Sequence, residues 1–170
     1  MMPSIKSLHH WAYRCRDAEQ TRHFYEDILG LPLAHVISED HVPSTGEYSP
    51  YLHIFFEMAD GSYVAFFDLG DGEATARDPA TPRWVNHLAL EVADEPALVS
   101  AKMRLEAEGV EVLGITDHGF VKSIYFFDPN DIRLELTCRT AGAAELKVKA
   151  GEAHDRLAEW NRRQGRVAAE

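Results

Sequence analysis

Apolar and polar positions along this chain fall into two rhythms, and those rhythms succeed one another twice in the same order. From His10 to Asp17 the residues read HWAYRCRD, and from His87 to Asp94 they read HLALEVAD. Each is a strand-like alternation that opens on a histidine, has an alanine two positions later and closes on an aspartate seven positions after the histidine. A helical rhythm follows in both. Asp17 with Gln20 makes an N-cap and capping box, Thr21, Phe24, Tyr25 and Ile28 recur at helical spacing, and Gly30 ends the segment. In the second copy Asp94 caps, Pro96 suits the first turn, Leu98, Ala101 and Leu105 form the stripe, and Gly109 stops it. Three short strands close each copy: LAHVIS, YLHIFFEM and SYVAFFDL in the first, VEVLGI, KSIYFF and IRLELTC in the second.

Each copy therefore reads βαβββ, with module one at residues 5–69 and module two at 84–140. The segment GDGEATARDPATPR, rich in Gly, Pro and polar residues, links them. Neither module alone buries enough surface to close a core, so residues 1–142 are expected to form one α+β domain. Residues 143–170 are a helical tail, in which AGEAHDRLAEWNRRQG predicts an amphipathic helix with Leu157 and Trp160 on one side. The stretch EDHVPSTGEYSP reads as a mobile loop around His41, long enough to act as a lid.

Composition narrows the partners. A chain of 170 residues, 45% of them hydrophobic, can bury one sizeable core. Its net charge of −11 repels phosphate backbones and anionic lipid, so neither nucleic acid nor a membrane surface is expected as a partner. The start MMPSIKSLHH has no apolar signal region, and no later run reaches transmembrane length. Cys15 and Cys138 lack a C-x-x-C spacing and are expected as free thiols on the helix side of the sheets, in a cytoplasmic protein.

Paired βαβββ modules, each opened by a strand-initial histidine, resemble the vicinal oxygen chelate superfamily of glyoxalases, epimerases, fosfomycin resistance proteins and extradiol ring-cleaving dioxygenases. The resemblance implies that the modules form an open barrel-like trough around a metal site, with ligands from the first and last strand of each module. Strand parity places His10, Ala12 and Arg14 toward the trough and Trp11, Tyr13 and Cys15 on the helix. It likewise turns His87 and Ala89 inward, and Arg133, Glu135 and Thr137 on the final strand, with Leu134, Leu136 and Cys138 in the core. Glu135 interrupts an apolar run, which is tolerable where a cation compensates its charge. Counted from the turns at Asp60-Gly61 and Asn130-Asp131, the position matching Glu135 in module one is Ala65, which cannot ligate, while Asp68 has the opposite parity. The implied ligands are thus His10, His87 and Glu135 with the remaining positions open, the two-His-one-carboxylate set of non-heme Fe(II) oxygenases. His9, facing away from His10, and His23, His35, His41 and His154 are read as structural or surface residues.

Thr116, His118, Ile124-Tyr125, Asp128-Pro129 and Glu135 follow the order of the extradiol dioxygenase signature, closest to its single-domain members. Asp131 stands where that pattern has Gly or Pro, and aspartate tolerates the left-handed backbone of such a turn. Where two-domain members carry an acid–base histidine this chain has Ser62, which leaves His118 or His53 to serve instead. The resemblance implies Fe(II)-dependent ring cleavage of a small catechol by O2 in a homodimer, with His118 and Tyr125 as catalytic residues. Phe55, Phe66, Phe67 and Phe127 would wall the pocket, and Arg14, Arg133 or Lys122 could meet a carboxylate. The alternatives are a Mn(II)-dependent thiol transferase of the fosfomycin type, a glyoxalase-like lyase on another divalent metal, or a non-catalytic small-molecule binder. Ala65 removes the fourth ligand that the lyase uses.

Overall fold

The protein was analysed as a computed structural model that describes residues 2–166. Module one contains β1 (His10–Cys15), α1 (Ala18–Arg22), β2 (Leu33–His41), β3 (Tyr48–Glu57) and β4 (Tyr63–Asp68). Module two contains β5 (Leu88–Glu91), α2 (Glu95–Ala107), β6 (Leu113–Asp117), β7 (Val121–Phe127) and β8 (Arg133–Arg139), and α3 (Ala143–Arg163) follows. Each module is an open four-stranded sheet, in the order β1-β4-β3-β2 and β5-β8-β7-β6. In each, the first strand lies parallel to the last and the other pairs are antiparallel. The α+β repeat read from the sequence is the fold.

Local chemistry explains the helix limits. The Asp17 carboxylate accepts from the Gln20 amide at 2.6 Å, and Asp94 accepts from Ala97 at 2.9 Å, so each helix starts on the expected cap. After Arg22 the first helix widens into a π-helical turn over His23–Ile28, which brings the adjacent Phe24 and Tyr25 both into the core. Gly30 and Gly109 take positive φ where the chain leaves each helix, at 80° and 77°.

One core serves both modules. Tyr25, Phe56 and Phe66 of module one share it with Leu98, Leu105, Ile124, Phe126 and Leu134 of module two. The Tyr25 ring stacks on Phe56 at 5.2 Å, and Phe24 lies 6.3 Å from Phe126 across the module boundary. Cys15 and Cys138 are buried free thiols in this core, and burial pushes the Cys15 pKa up to about 11.

A polar latch joins the modules beside that core. Asp128 Oδ1 accepts from the amides of Asn130 and Ile132 at 2.9 and 2.8 Å, closing the β7–β8 turn. Its other oxygen accepts from the Tyr25 hydroxyl at 3.1 Å. Asn130 Oδ1 accepts from the Arg16 amide at 3.0 Å, and its Nδ2 donates to Thr21 Oγ1 at 3.1 Å. The module-two turn is thereby bonded to the β1–α1 corner of module one. Asp131 completes the turn with φ 62°, the left-handed conformation expected there.

Several elements depart from expectation. The stretch around His41 is no lid: β2 reaches His41 and β3 begins at Tyr48, leaving residues 42–47 as a turn closed by the Val42 amide on Glu47 O at 2.9 Å. His41 ends β2 and packs edge-on against Tyr48 at 5.3 Å. Strand β6 begins three residues later than VEVLGI suggests, because Val110 and Val112 pack against the core ahead of it. In the tail, α3 has no buried residue, Leu157 and Trp160 are exposed, and residues 167–170 lie outside the described residues. Among the described residues no helix is long and apolar enough to cross a membrane.

Candidate metal and substrate site

Sheet register aligns the two modules residue by residue. In β1–β4, Ala12 lies beside Ala65; in β5–β8, Ala89 lies beside Glu135. Ala12 follows His10 by two positions and Ala89 follows His87 by two, so Ala65 occupies the place of Glu135 in the repeat. Ala65 is fully buried opposite Phe55. Asp68, the nearest acid, instead accepts from the Ala18 amide at 2.8 Å at the start of α1.

Module two gathers a donor cluster. His87 Nε2 stands 3.1 Å from Glu135 Oε2. Its Nδ1 donates to the Val85 carbonyl at 3.0 Å, which leaves the Nε2 lone pair aimed at the carboxylate. Glu135, 6% exposed, accepts on Oε1 from the hydroxyl of Ser123, which is itself fully buried and 3.1 Å from Thr137 Oγ1. Two electron-pair donors facing one another, one of them a buried carboxylate, call for a proton or a cation between them. Their spacing suits a divalent ion, because ligands ~2.1 Å from the metal on adjacent corners are about 3 Å apart. A backbone carbonyl holding the far nitrogen of the imidazole is also the usual support for a metal-ligating histidine. The pair therefore suits two adjacent corners of a divalent cation's shell.

Tyr125 lies directly opposite Glu135 in the β7–β8 ladder, its ring 6.3 Å from that of His87. Burial and the Glu135 carboxylate push its phenol pKa up, so it keeps its proton and donates to His118 Nε2 at 2.7 Å. The Arg133 guanidinium lies 4.0 Å over the Tyr125 ring and donates from Nη1 to Trp84 O at 3.0 Å. His87, Glu135, His118 and Tyr125 thus share one sheet face.

His10 stands apart from them. It opens β1 on the module-one sheet, exposed, with its ring 5.7 Å from Phe55 and 6.2 Å from His53. Among the described residues no three His, Cys, Asp or Glu side chains form a group able to hold a metal, so a single chain does not bring His10 to His87 and Glu135. His9 does not face away from His10: it precedes the strand, where alternation no longer governs direction, and its Nδ1 is 2.8 Å from His10 Nδ1. His53 is buried, stacked on Phe67 at 3.6 Å, and donates from Nδ1 to Phe66 O at 3.1 Å; burial lowers its pKa and keeps it neutral. Ser62 is a turn residue, with its hydroxyl on Asp60 Oδ1 at 2.6 Å. Phe66 belongs to the core and lines no trough.

Beside His87 lies a cavity of about 400 Å³, roofed by the linker and lined by Trp11, Tyr13, Phe127, Arg83 and Arg133. Tyr13 was expected to pack on the helix; it is 36% exposed, stacks on Trp11 at 4.3 Å and borders this cavity. The linker's part in the site was missed in the sequence. Its signal was Trp84-Val85, an apolar pair directly after the polar segment, whose two carbonyls hold Arg133 and His87.

The glyoxalase/bleomycin resistance protein/dioxygenase superfamily profile matches residues 7–136, both modules and every residue of the donor cluster. The chain belongs to this superfamily. It is 31% identical over 135 residues to the uncharacterized protein YwkD of Bacillus subtilis (strain 168), spanning 78% of this chain and 96% of that one. The putative ring-cleaving dioxygenase MhqA of the same organism is 28% identical over 71% of this chain, which spans 35% of MhqA's length. A 2-epi-5-epi-valiolone epimerase of Actinomyces sp is 26% identical over 84% of each chain. The superfamily fold also recurs in the fosfomycin resistance protein FosX of Listeria monocytogenes, solved with Mn(II), at 21% identity and a TM-score of 0.57, covering 84% of this chain and 98% of that one.

Proposed function

We propose that this superfamily member is an Fe(II)-dependent extradiol dioxygenase that opens the ring of a small catechol. The observation that carries the reading is the Tyr125–His118 hydrogen bond of 2.7 Å beside the pair formed by the exposed His87 and the buried Glu135. Similarity to a putative ring-cleaving dioxygenase across both modules supports it. Bound at His87 and Glu135, Fe(II) would supply the place where a diol and O2 are activated together. The rest falls to the chain itself. The Tyr125 oxygen takes a proton from a substrate hydroxyl as its own proton moves to His118, so the pair works as a relay. Phe127 and the cavity beside His87 hold the ring.

The proposal includes a homodimer. His10 lies on the module-one sheet without His87 or Glu135, and we infer that a second copy presents its His10 to this pair. Mixing His10→Ala chains with Glu135→Ala chains should then restore metal binding and turnover to part of the population, since one of two shared sites becomes whole. No recovery on mixing, from chains shown to exchange, would assign His10 to its own chain or to no site.

Fe(II)-loaded protein, prepared without air and given O2, should consume one O2 per catechol and form a yellow ring-opened semialdehyde. His118→Phe should keep its metal and lose ~100-fold or more of turnover, as for a positioned acid–base group. The epimerase relative favours a second reading, proton transfer at a carbon beside the chelated oxygens. Solvent deuterium entering a diol or hydroxyketone with no O2 uptake would establish that reading in place of ring cleavage.

A further inference from the structure

The geometry points to a substrate that carries a carboxylate, read by Arg133; the inference rests on the diol-binding site proposed above and names its substrate class. Of the three cations singled out in the sequence, two are already occupied. Arg14 is paired with Asp71, and Lys122 with Glu95 at 2.7 Å. Of the other arginines lining the cavity, Arg83 is paired with Asp131, while Arg77 lies on the linker, away from the strand that carries Glu135. Arg133 has no carboxylate partner among the described residues. Of its donors only Nη1 is engaged, by Trp84 O at 3.0 Å, while the plane of the group is fixed 4.0 Å above the Tyr125 ring. A guanidinium held in one plane with N–H groups to spare is built for an anion of matching fork geometry, and a carboxylate is that anion.

Its surroundings agree. The cavity wall includes two aspartates, but Asp131 is taken by Arg83, and Asp78 accepts from the Ala80 amide and the Thr81 hydroxyl at 2.9 and 2.5 Å. In a chain of net charge −11, this cavity is a local exception. Distance sets the size of the substrate. Arg133 and Glu135 are two positions apart on one strand face, so their side chains rise about 7 Å apart along β8. That spans one aromatic ring with a short acidic arm opposite the diol.

The test compares 3,4-dihydroxyphenylacetate with 4-ethylcatechol, a neutral probe of similar shape, by calorimetry on the Fe(II)-loaded protein without O2. The acid should bind ~10- to 100-fold more tightly, the range of a charge-assisted pair. Added salt should weaken the acid alone. Arg133→Met should abolish the preference while leaving metal content and 4-ethylcatechol affinity within about threefold, and Arg133→Lys should retain part of it. Equal affinities in the wild type, or loss of both diols alike in Arg133→Met, would overturn the inference and leave the diol site standing. If neither diol binds, the diol site itself is refuted, and this inference with it.

Discussion

Glu135→Ala should leave the protein unable to retain a divalent metal through dialysis against a mild chelator, while its thermal unfolding stays cooperative. The carboxylate faces the His87 imidazole, and it sits 6% exposed with one hydroxyl donor. Without it a dication in that place meets no compensating charge. Outer-shell partners alone are worth ~10–100-fold in affinity, and a direct ligand exceeds that range. Metal content by mass spectrometry decides the matter: full occupancy of the variant would remove Glu135 from the ligand set. Ser123 supplies an internal comparison, because of the two carboxylate oxygens its hydroxyl donates to Oε1 and leaves Oε2 facing His87.

The largest stability effect belongs to Asp128. Asp128→Ala should cost ~3–4 kcal/mol, since it leaves two turn amides and the buried Tyr25 hydroxyl without an acceptor, each a loss of ~1–3 kcal/mol before relaxation. In a chain of this size that is a fall of about 10 °C in Tm. Burial pushes the Asp128 pKa above its ordinary value, although four hydrogen bonds pull the other way. A carboxyl raised on folding contributes stability that is complete below its unfolded pKa and drains away as pH rises through the folded one. The cost of the alanine variant should therefore be greatest at acid pH and smaller at neutral pH. Asp71→Ala, which breaks an ion pair on the surface, should cost under about 1 kcal/mol and serves as the reference. Guanidinium midpoints for the two variants that coincide would show that Asp128 holds nothing together.

The repeat was legible because it is local. A histidine, an alanine two positions on and a capping aspartate define each module by spacing alone, and the matching of Ala65 to Glu135 needed only a count from two turns. Trough and core faces of β8 followed from alternation, with Leu134, Leu136 and Cys138 buried together as expected. What stayed hidden depends on distant partners. Asp128 and Asn130 read as turn residues, yet their side chains bind Tyr25, Arg16 and Thr21 more than a hundred positions away. His9, just outside its strand, escapes the alternation rule, and Pro50 masked the strand that runs through it. The separation of His10 from His87 and Glu135 is a matter of how two sheets are set, which no local pattern encodes.

The latch at Asp128–Asn130 also governs where this chain can change its length. Residues 69–84 cross the surface, and added residues there would cost only the slow, logarithmic entropy of a longer loop. An insertion between Phe127 and Arg133 would instead pull five hydrogen bonds out of register at once and shift Arg133 and Glu135 to the opposite face of β8. Lineages of this fold can therefore diverge in substrate through the linker roof above the cavity, whereas the β7–β8 turn is held to one length.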